Sequence, residues 1–294
     1  MKQLAIIGPT ASGKTALSIE FAQKNNCYIL SLDSLSVYKE IDIASAKPTL
    51  EERAGIPHFG IDEFYPDQKF SVMDYFDIYK KAKKACMQDK KNLVIVGGSS
   101  FYLKSMLDGI TKNPNITDEI KKKAKEITKD LSKAYSFIKE NDKLYSQKIS
   151  KSDRYRIEKW YEIFLATNQI PEEYFKRIPK IKAFEDIKIY NLNIDKEILK
   201  LKIKKRTSIM IEQGLIDEVF FLDKKYGRNQ HPFNSIGIKE TYDYLDGKLD
   251  IQGLEEQISL NTYHLAKRQI TFNKTQFNSK IKDIKSSLKN NISF

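Results

Sequence analysis

The first residues able to do chemistry are Gly8-Pro9-Thr10-Ala11-Ser12-Gly13-Lys14-Thr15, which fit G-x-x-x-x-G-K-[ST] at every position. A loop with this spacing turns its backbone N–H groups inward onto phosphate oxygens, and the N-terminus of the following helix adds partial positive charge. Lys14 then reaches the terminal phosphate, and the Thr15 hydroxyl is the ligand for Mg²⁺. The pattern alone does not say which phosphate compound is held. Asp33 closes a later apolar run and faces the same loop. A carboxylate there takes a proton or holds Mg²⁺ through water; as a general base it supplies roughly 10²–10⁴ in rate. A turn or helix-capping Asp is the competing reading, and Ser34 beside it says less. Gly97-Gly98-Ser99 ends another apolar run, where P-loop hydrolases commonly carry a metal-fixing Asp. Glycines admit close backbone approach and the Ser99 hydroxyl suits a bridging phosphate oxygen, while the missing acid argues against ATP hydrolysis. Arg206 offers a planar guanidinium for departing phosphate charge, although Lys204-Lys205-Arg206 also reads as a solvated helix face. Lys267 and Arg268 read either as contacts to a phosphate backbone or as an exposed face. His58, His231 and His264 are scattered, so a catalytic triad is not supported. Trp160 and the 16 tyrosines suit base stacking, but most aromatics belong to cores.

The elements that must position these residues alternate over positions 1–110. Leu4-Ala5-Ile6-Ile7 precedes the loop as a buried strand, and Ala16–Ala22 follows it with apolar positions on one helical face. Tyr28–Leu32 and Asn92–Val96 read as further strands, with a helical pattern from Met73 to Met87 between them. Such alternation implies a parallel sheet with helices on both faces, and its site lies outside the carboxyl ends of the strands. The phosphate loop, Asp33-Ser34 and Gly97-Gly98-Ser99 therefore converge. Pro and Gly between Ala44 and Asp62 mark loops, expected to form a flexible flap over the site. From Thr111 the character changes: Asp118–Lys139 and Ser152–Thr167 are helical and charged, and no strand pattern returns before Ile187–Leu192. Helical patterns then run over Ile198–Gln213, Asp217–Tyr226 and Glu256–Gln276, with Gly214 as a C-cap. The expected fold is α/β, a P-loop NTPase-like parallel sheet flanked by helices. Residues 1–110 and 186–294 form its core, and 111–185 form an all-helical insertion domain.

The totals narrow the partner. The 294 residues carry a net charge of +12, from 51 Lys+Arg against 39 Asp+Glu, which favours a polyanion. Residues 111–185 hold 18 basic against 12 acidic side chains, and residues 264–294 hold 7 against 1. Two cysteines far apart, Cys27 and Cys86, argue against a disulfide framework or structural zinc. No apolar run approaches a membrane span, and the first residues enter a strand at once, so a cytoplasmic protein without a signal peptide is expected.

These residues, taken in order, resemble the tRNA dimethylallyltransferases. The likeness runs through the phosphate loop, Asp33-Ser34 with Val37-Tyr38-Lys39, Ala46-Lys47-Pro48-Thr49, and Pro57-His58 with Ile61-Asp62. It continues through Gly97-Gly98-Ser99, Ser152-Asp153 with Arg156, Arg206 with Met210 and Gly214-Leu215, Ile236-Gly237 with Glu240, and Ala266–Thr271. The resemblance implies transfer of a dimethylallyl group from its diphosphate to N6 of adenosine 37 in tRNAs reading codons that start with U. It implies that Asp33 is the general base, that Ser99 (where the family usually has Thr) and Arg206 contact the diphosphate, and that Mg²⁺ assists. It further implies that the insertion grips the anticodon stem-loop of tRNA; a monomer is expected. Ala44-Ser45, Ile238 and Phe272 depart from the family's usual Gly-Thr, Tyr and Trp, and Ser99-Ser100-Phe101-Tyr102 leans toward relatives that prenylate free AMP, ADP or ATP. An adenylate isopentenyltransferase is therefore the alternative.

Overall fold

The apolar stretch at the start forms β1 (Gln3–Ile7), buried from Leu4 onward as a strand covered on both faces must be. The computed structural model describes residues 1–184, 186–277, 280–285 and 292–294. After the phosphate loop, α1 (Lys14–Lys24) buries Leu17, Phe21 and Ala22 on one face. β2 (Cys27–Leu32) and β3 (His58–Phe59) follow, then α2 (Val72–Gln88), β4 (Asn92–Gly97) and α3 (Ser100–Asp108). A capping box starts α2: Ser71 Oγ accepts from Asp74 N, and the Asp74 carboxylate accepts from Ser71 N at 2.8 Å.

The next elements are all helical: α4 (Asp118–Ile127), α5 (Leu131–Asn141), α6 (Lys143–Ser146), α7 (Arg154–Thr167) and α8 (Pro171–Lys176). The pattern read as one helix over 118–139 is thus two. Asp130 interrupts it, because its carboxylate accepts from Lys133 N at 3.0 Å and opens a new helix. The chain then returns to strand in β5 (Lys188–Asn193) and continues through α9 (Lys196–Glu212), α10 (Leu215–Tyr226), a 3₁₀ turn at His231–Asn234, α11 (Ile238–Leu245), α12 (Ile251–Phe277) and β6 (Ile281–Lys285).

Among the described residues six strands make one sheet in the order β3-β2-β4-β1-β5-β6, with every pairing parallel. β1 lies at its middle, with Ile6 opposite Val96 on one side and Tyr190 on the other. The two strands without a sequence signal, β3 and β6, are its edges. One is two residues long and the other alternates with charge, so neither carries the apolar run that marks a central strand. A core of Leu4, Ile6, Leu17, Phe21, Ile29, Val94, Tyr190 and Leu192 fills the space between α1 and the sheet. No helix among the described residues is long and apolar enough to cross a membrane.

The chain divides into two compact units, Met1–Leu107 with Ala183–Phe294, and Asp108–Lys182. The cuts read from sequence, at 110/111 and 185/186, lie three residues away from these. In the second unit Ile110 and Ile181 exchange backbone hydrogen bonds of 3.0 and 2.8 Å, so its chain enters and leaves side by side. Its core is Ala124, Ala134, Ile138, Ile149, Ile157, Trp160 and Tyr161. Trp160 is 1% exposed, and its Nε1 donates to the buried Asp142 carboxylate at 3.0 Å. The only tryptophan is therefore a core residue rather than a platform for a base.

Candidate active site

The phosphate loop joins β1 to α1 and turns through left-handed residues at Ala11 and Gly13. Lys14 is buried and folds back on its own loop, donating to Pro9 O at 2.5 Å and to Ser12 Oγ at 3.5 Å. Burial pulls its pKa from 10.5 down to about 7; the Arg206 charge pushes the same way, and Asp33 opposes both.

Asp33 follows the last residue of β2. Its Oδ1 accepts from Leu35 N at 2.8 Å and Ser36 N at 3.1 Å, which fixes the carboxyl group against its own turn. Oδ2 has no hydrogen-bond partner among the described residues. The turn-capping and catalytic readings of this residue are thus compatible, since each uses a different oxygen. Ser99 meets the same turn: its N donates to Leu32 O at 3.0 Å, and its Oγ accepts from Ser34 N at 3.3 Å. This junction requires Gly97, because a Cβ there would lie 2.2 Å from Leu32 O. The ends of β2 and β4 are knitted together at the point where both leave the sheet.

Arg206 reaches the site from α9, half-buried, with Nη1 3.4 Å from Thr10 Oγ1. Burial lowers its pKa, while Asp33 and Glu52 favour the charged form. Gln269 arrives from α12 and accepts from Thr10 N at 2.8 Å. Thr10, Ala11, Gly13, Lys14, Thr15, Asp33, Ser34, Ser99, Arg206 and Gln269 all line one cavity of about 960 Å³. Gly8, Pro9 and Ser12 do not line it and support the loop from behind. Pro9 O accepts from Ser12 N and Lys14 Nζ, and Ser12 is 1% exposed.

Lys267 and Arg268 fall elsewhere. They line a separate shallow groove with His264, Thr271, Phe272 and Thr275. On a helix adjacent residues diverge by about 100°, so the turn of α12 that sends Gln269 inward sends its two basic neighbours away from the cavity. Gln269 is not among the residues singled out from sequence; the signal that marks it is the helical spacing of Ile258, Thr262, Leu265 and Gln269, which share the cavity-lining face.

The segment expected as a flexible flap is pinned. The Glu218 carboxylate on α10 accepts from Asp42 N, Ile43 N and Ala44 N at 2.9, 2.7 and 2.9 Å. Burial raises its pKa, and those three donors oppose the rise. Lys47 Nζ donates to Tyr38 O at 2.5 Å and to Asp42 and Asp62 carboxylates at 2.7 Å each, with its side chain 4% exposed. Ala44, Ala46, Lys47 and Pro48 form a fixed wall of the cavity. Two other motif stretches are joints rather than ligands of the cavity. Asp153 caps α7, accepting from Arg156 N and Nη1 at 3.1 Å each. Glu240, 3% exposed, accepts from Gly237 N at 2.8 Å and Asn261 Nδ2 at 2.7 Å.

A family model described as IPP transferase matches residues 36–276, a span that begins after both the phosphate loop and Asp33. A tRNA dimethylallyltransferase of Aliarcobacter butzleri is 52% identical over 99% of this chain and 98% of its own length. That of Sulfurovum sp. is 49% identical, over 98% and 96%. Among solved structures, a eukaryotic dimethylallyltransferase described as acting on tRNA superposes with a TM-score of 0.84 at 25% identity, over 97% of this chain and 74% of that one. The tRNA isopentenylpyrophosphate transferase of Bacillus halodurans gives 0.69 at 26%, over 97% and 89%.

Proposed function

The chain belongs to the IPP transferase family, and we propose that it transfers the dimethylallyl group of dimethylallyl diphosphate to N6 of adenosine 37 in tRNAs reading codons that start with U. The observation that carries this reading is the meeting of a phosphate loop, an Asp carboxylate, a Ser hydroxyl and a half-buried Arg around one cavity. The names of the relatives support tRNA as the acceptor, and free AMP, ADP or ATP is not favoured. The protein acts as a monomer in the cytoplasm.

The donor's leaving group is a diphosphate. Thr10–Thr15 receive it, and Lys14 exchanges its internal acceptor Pro9 O for a phosphate oxygen. Arg206 sits beside Thr10 to neutralise charge that builds on the departing oxygen. Ser99 Oγ, already the acceptor for Ser34 N, has its own proton to donate. The allylic carbon gains cationic character as its C–O bond breaks. The adenine N6 attacks that carbon, and Asp33 Oδ2 takes the proton that N6 loses. Extruding the base from its stack costs a few kcal/mol, which phosphate contacts from the basic helices of 108–182 offset.

The residues fit Mg²⁺ as an ion brought with the substrate. Among the described residues no group of three or more His, Cys, Asp or Glu could hold a metal alone. The exposed Thr15 hydroxyl and Asp33 line the cavity, and Mg²⁺ commonly takes one or two protein oxygens with substrate phosphates and water. When bound it supplies further charge neutralisation at the diphosphate.

Mass spectrometry of tRNA after incubation with dimethylallyl diphosphate and Mg²⁺ tests the reading. The expected result is a gain of one prenyl unit on the adenosine 3′ to the anticodon, with binding that weakens as salt rises. Unchanged tRNA, or phosphate transferred from ATP, overturns it.

A further inference from the structure

We propose that Gln269 is a substrate-contacting residue whose side-chain amide donates to the diphosphate as it departs; this rests on the donor assigned above. The orientation of its carboxamide is fixed by chemistry. Thr10 N can only donate, so the atom 2.8 Å from it must be the Gln269 oxygen. The nitrogen is thereby turned the other way, toward the end of β4, where a Cβ built on Gly98 would lie 2.5 Å from it. This explains the second glycine of Gly97-Gly98. The first admits a neighbouring strand, and the second admits an amide. Gln269 Nε2 donates to no protein acceptor among the described residues, although the residue lines the cavity between the phosphate loop and Ser99. An amide held by one end against a phosphate loop presents two N–H groups at fixed positions. The acceptor-rich partner that belongs between Thr10, Lys14 and Ser99 is a phosphate oxygen. Donors of this kind, immobilised before the reaction, are most effective where charge accumulates on a leaving group.

Two near-isosteric variants separate this role from simple bracing of the loop. Gln269→Glu keeps an acceptor for Thr10 N and removes the donor. Gln269→Met removes both and adds no charge. The probe is inorganic diphosphate with Mg²⁺, titrated calorimetrically, with prenyl transfer to tRNA measured in parallel. Both variants are expected to keep the wild-type melting temperature and tRNA affinity, to bind diphosphate at least tenfold more weakly, and to lose kcat by about 10²-fold, as single oxyanion donors do. If Gln269→Glu matches the wild type, bracing of Thr10 is the whole role. If Gln269→Met matches it, the loss in the Glu variant is charge repulsion. Either result overturns the proposal. The diphosphate titration needs no prenyl transfer, so wild-type protein that binds diphosphate but leaves tRNA unmodified would count against the function and not against this residue.

Discussion

The sheet unit uses polar side chains to fix loops, and the helical unit uses them to start helices. In and beside the cavity several polar side chains fix loops by accepting from their backbone N–H groups: Asp33 from Leu35 and Ser36, Ser99 from Ser34, Gln269 from Thr10, Glu218 from three successive amides. In residues 108–182 many of the backbone ties are helix caps, beside side chains such as Tyr135, Tyr161 and Arg154 that donate to carbonyls. Thr117, Asp130, Asp142 and Asp153 each accept from the N–H three residues on. The lysines there, among them Lys122, Lys123, Lys125, Lys129 and Lys133, stand in solvent. Bond-making needs groups placed to a fraction of an ångström. Attraction of a polyanion needs only a field of the right sign, so a small bundle around Trp160 suffices.

The largest effect expected from breaking this division of labour is at Asp33. Asp33→Ala should reduce single-turnover prenyl transfer by about 10²–10⁴ while tRNA affinity, measured by filter binding, stays at the wild-type value. A parallel loss of affinity would mean that the sheet unit also grips the RNA. Next comes Trp160→Ala, which removes the ring stacked on Phe164 at 5.0 Å and leaves the Asp142 carboxylate without its indole donor. It should destabilise the helical unit by about 3–5 kcal/mol. Calorimetry should then show an early transition belonging to 108–182, with diphosphate binding by the sheet unit unchanged. One shifted transition for the whole chain would show that the units do not melt independently.

The smallest effect is the most specific to the phosphate loop. Lys14 titrates near 7 in the ligand-free fold against 10.5 ordinarily. Between those values the unfolded chain holds the extra proton, so this group's contribution makes stability rise with pH from about 7 to 10.5. Diphosphate binding has the opposite slope, because the anion restores the ammonium. At pH 8, calorimetry in buffers of different ionisation heat should register uptake approaching one proton, with affinity falling as pH rises. Absence of uptake would mean that Lys14 is already charged in the free protein.

Much of this site was legible because its signals are local. The phosphate loop, Asp33 and Gly97-Gly98-Ser99 each stand at the end of an apolar run that must be a strand, and a parallel sheet delivers strand ends to one side. Arg206 was ambiguous in sequence, since a basic run on a helix looks the same whether it faces solvent or a cavity; burial distinguishes it. Gln269 was overlooked beside Lys267 and Arg268, whose charge draws attention although the helix turns them outward. Glu218 carried no signal, and Lys47 stood in a motif of the resemblance that did not show its role, because their partners are backbone groups and side chains that only the fold brings near. Of the resemblance's motifs, Asp153 and Glu240 were read with the rest, yet their contacts are those of helix caps and joints.

The strand order also sets a timetable for synthesis. β1, β2, β3 and β4 are complete by residue 97, but one side of β1 pairs only with β5, which begins at residue 188. At about 5–20 residues per second the ribosome needs roughly 5–18 seconds to bridge that gap, and throughout it the central strand keeps one edge of unpaired backbone N–H and C=O groups. The helices of 108–182 emerge in this interval, while Arg206 and Gln269 appear only after it. A nascent chain therefore owns its anion-binding loop long before it can act on anything held there.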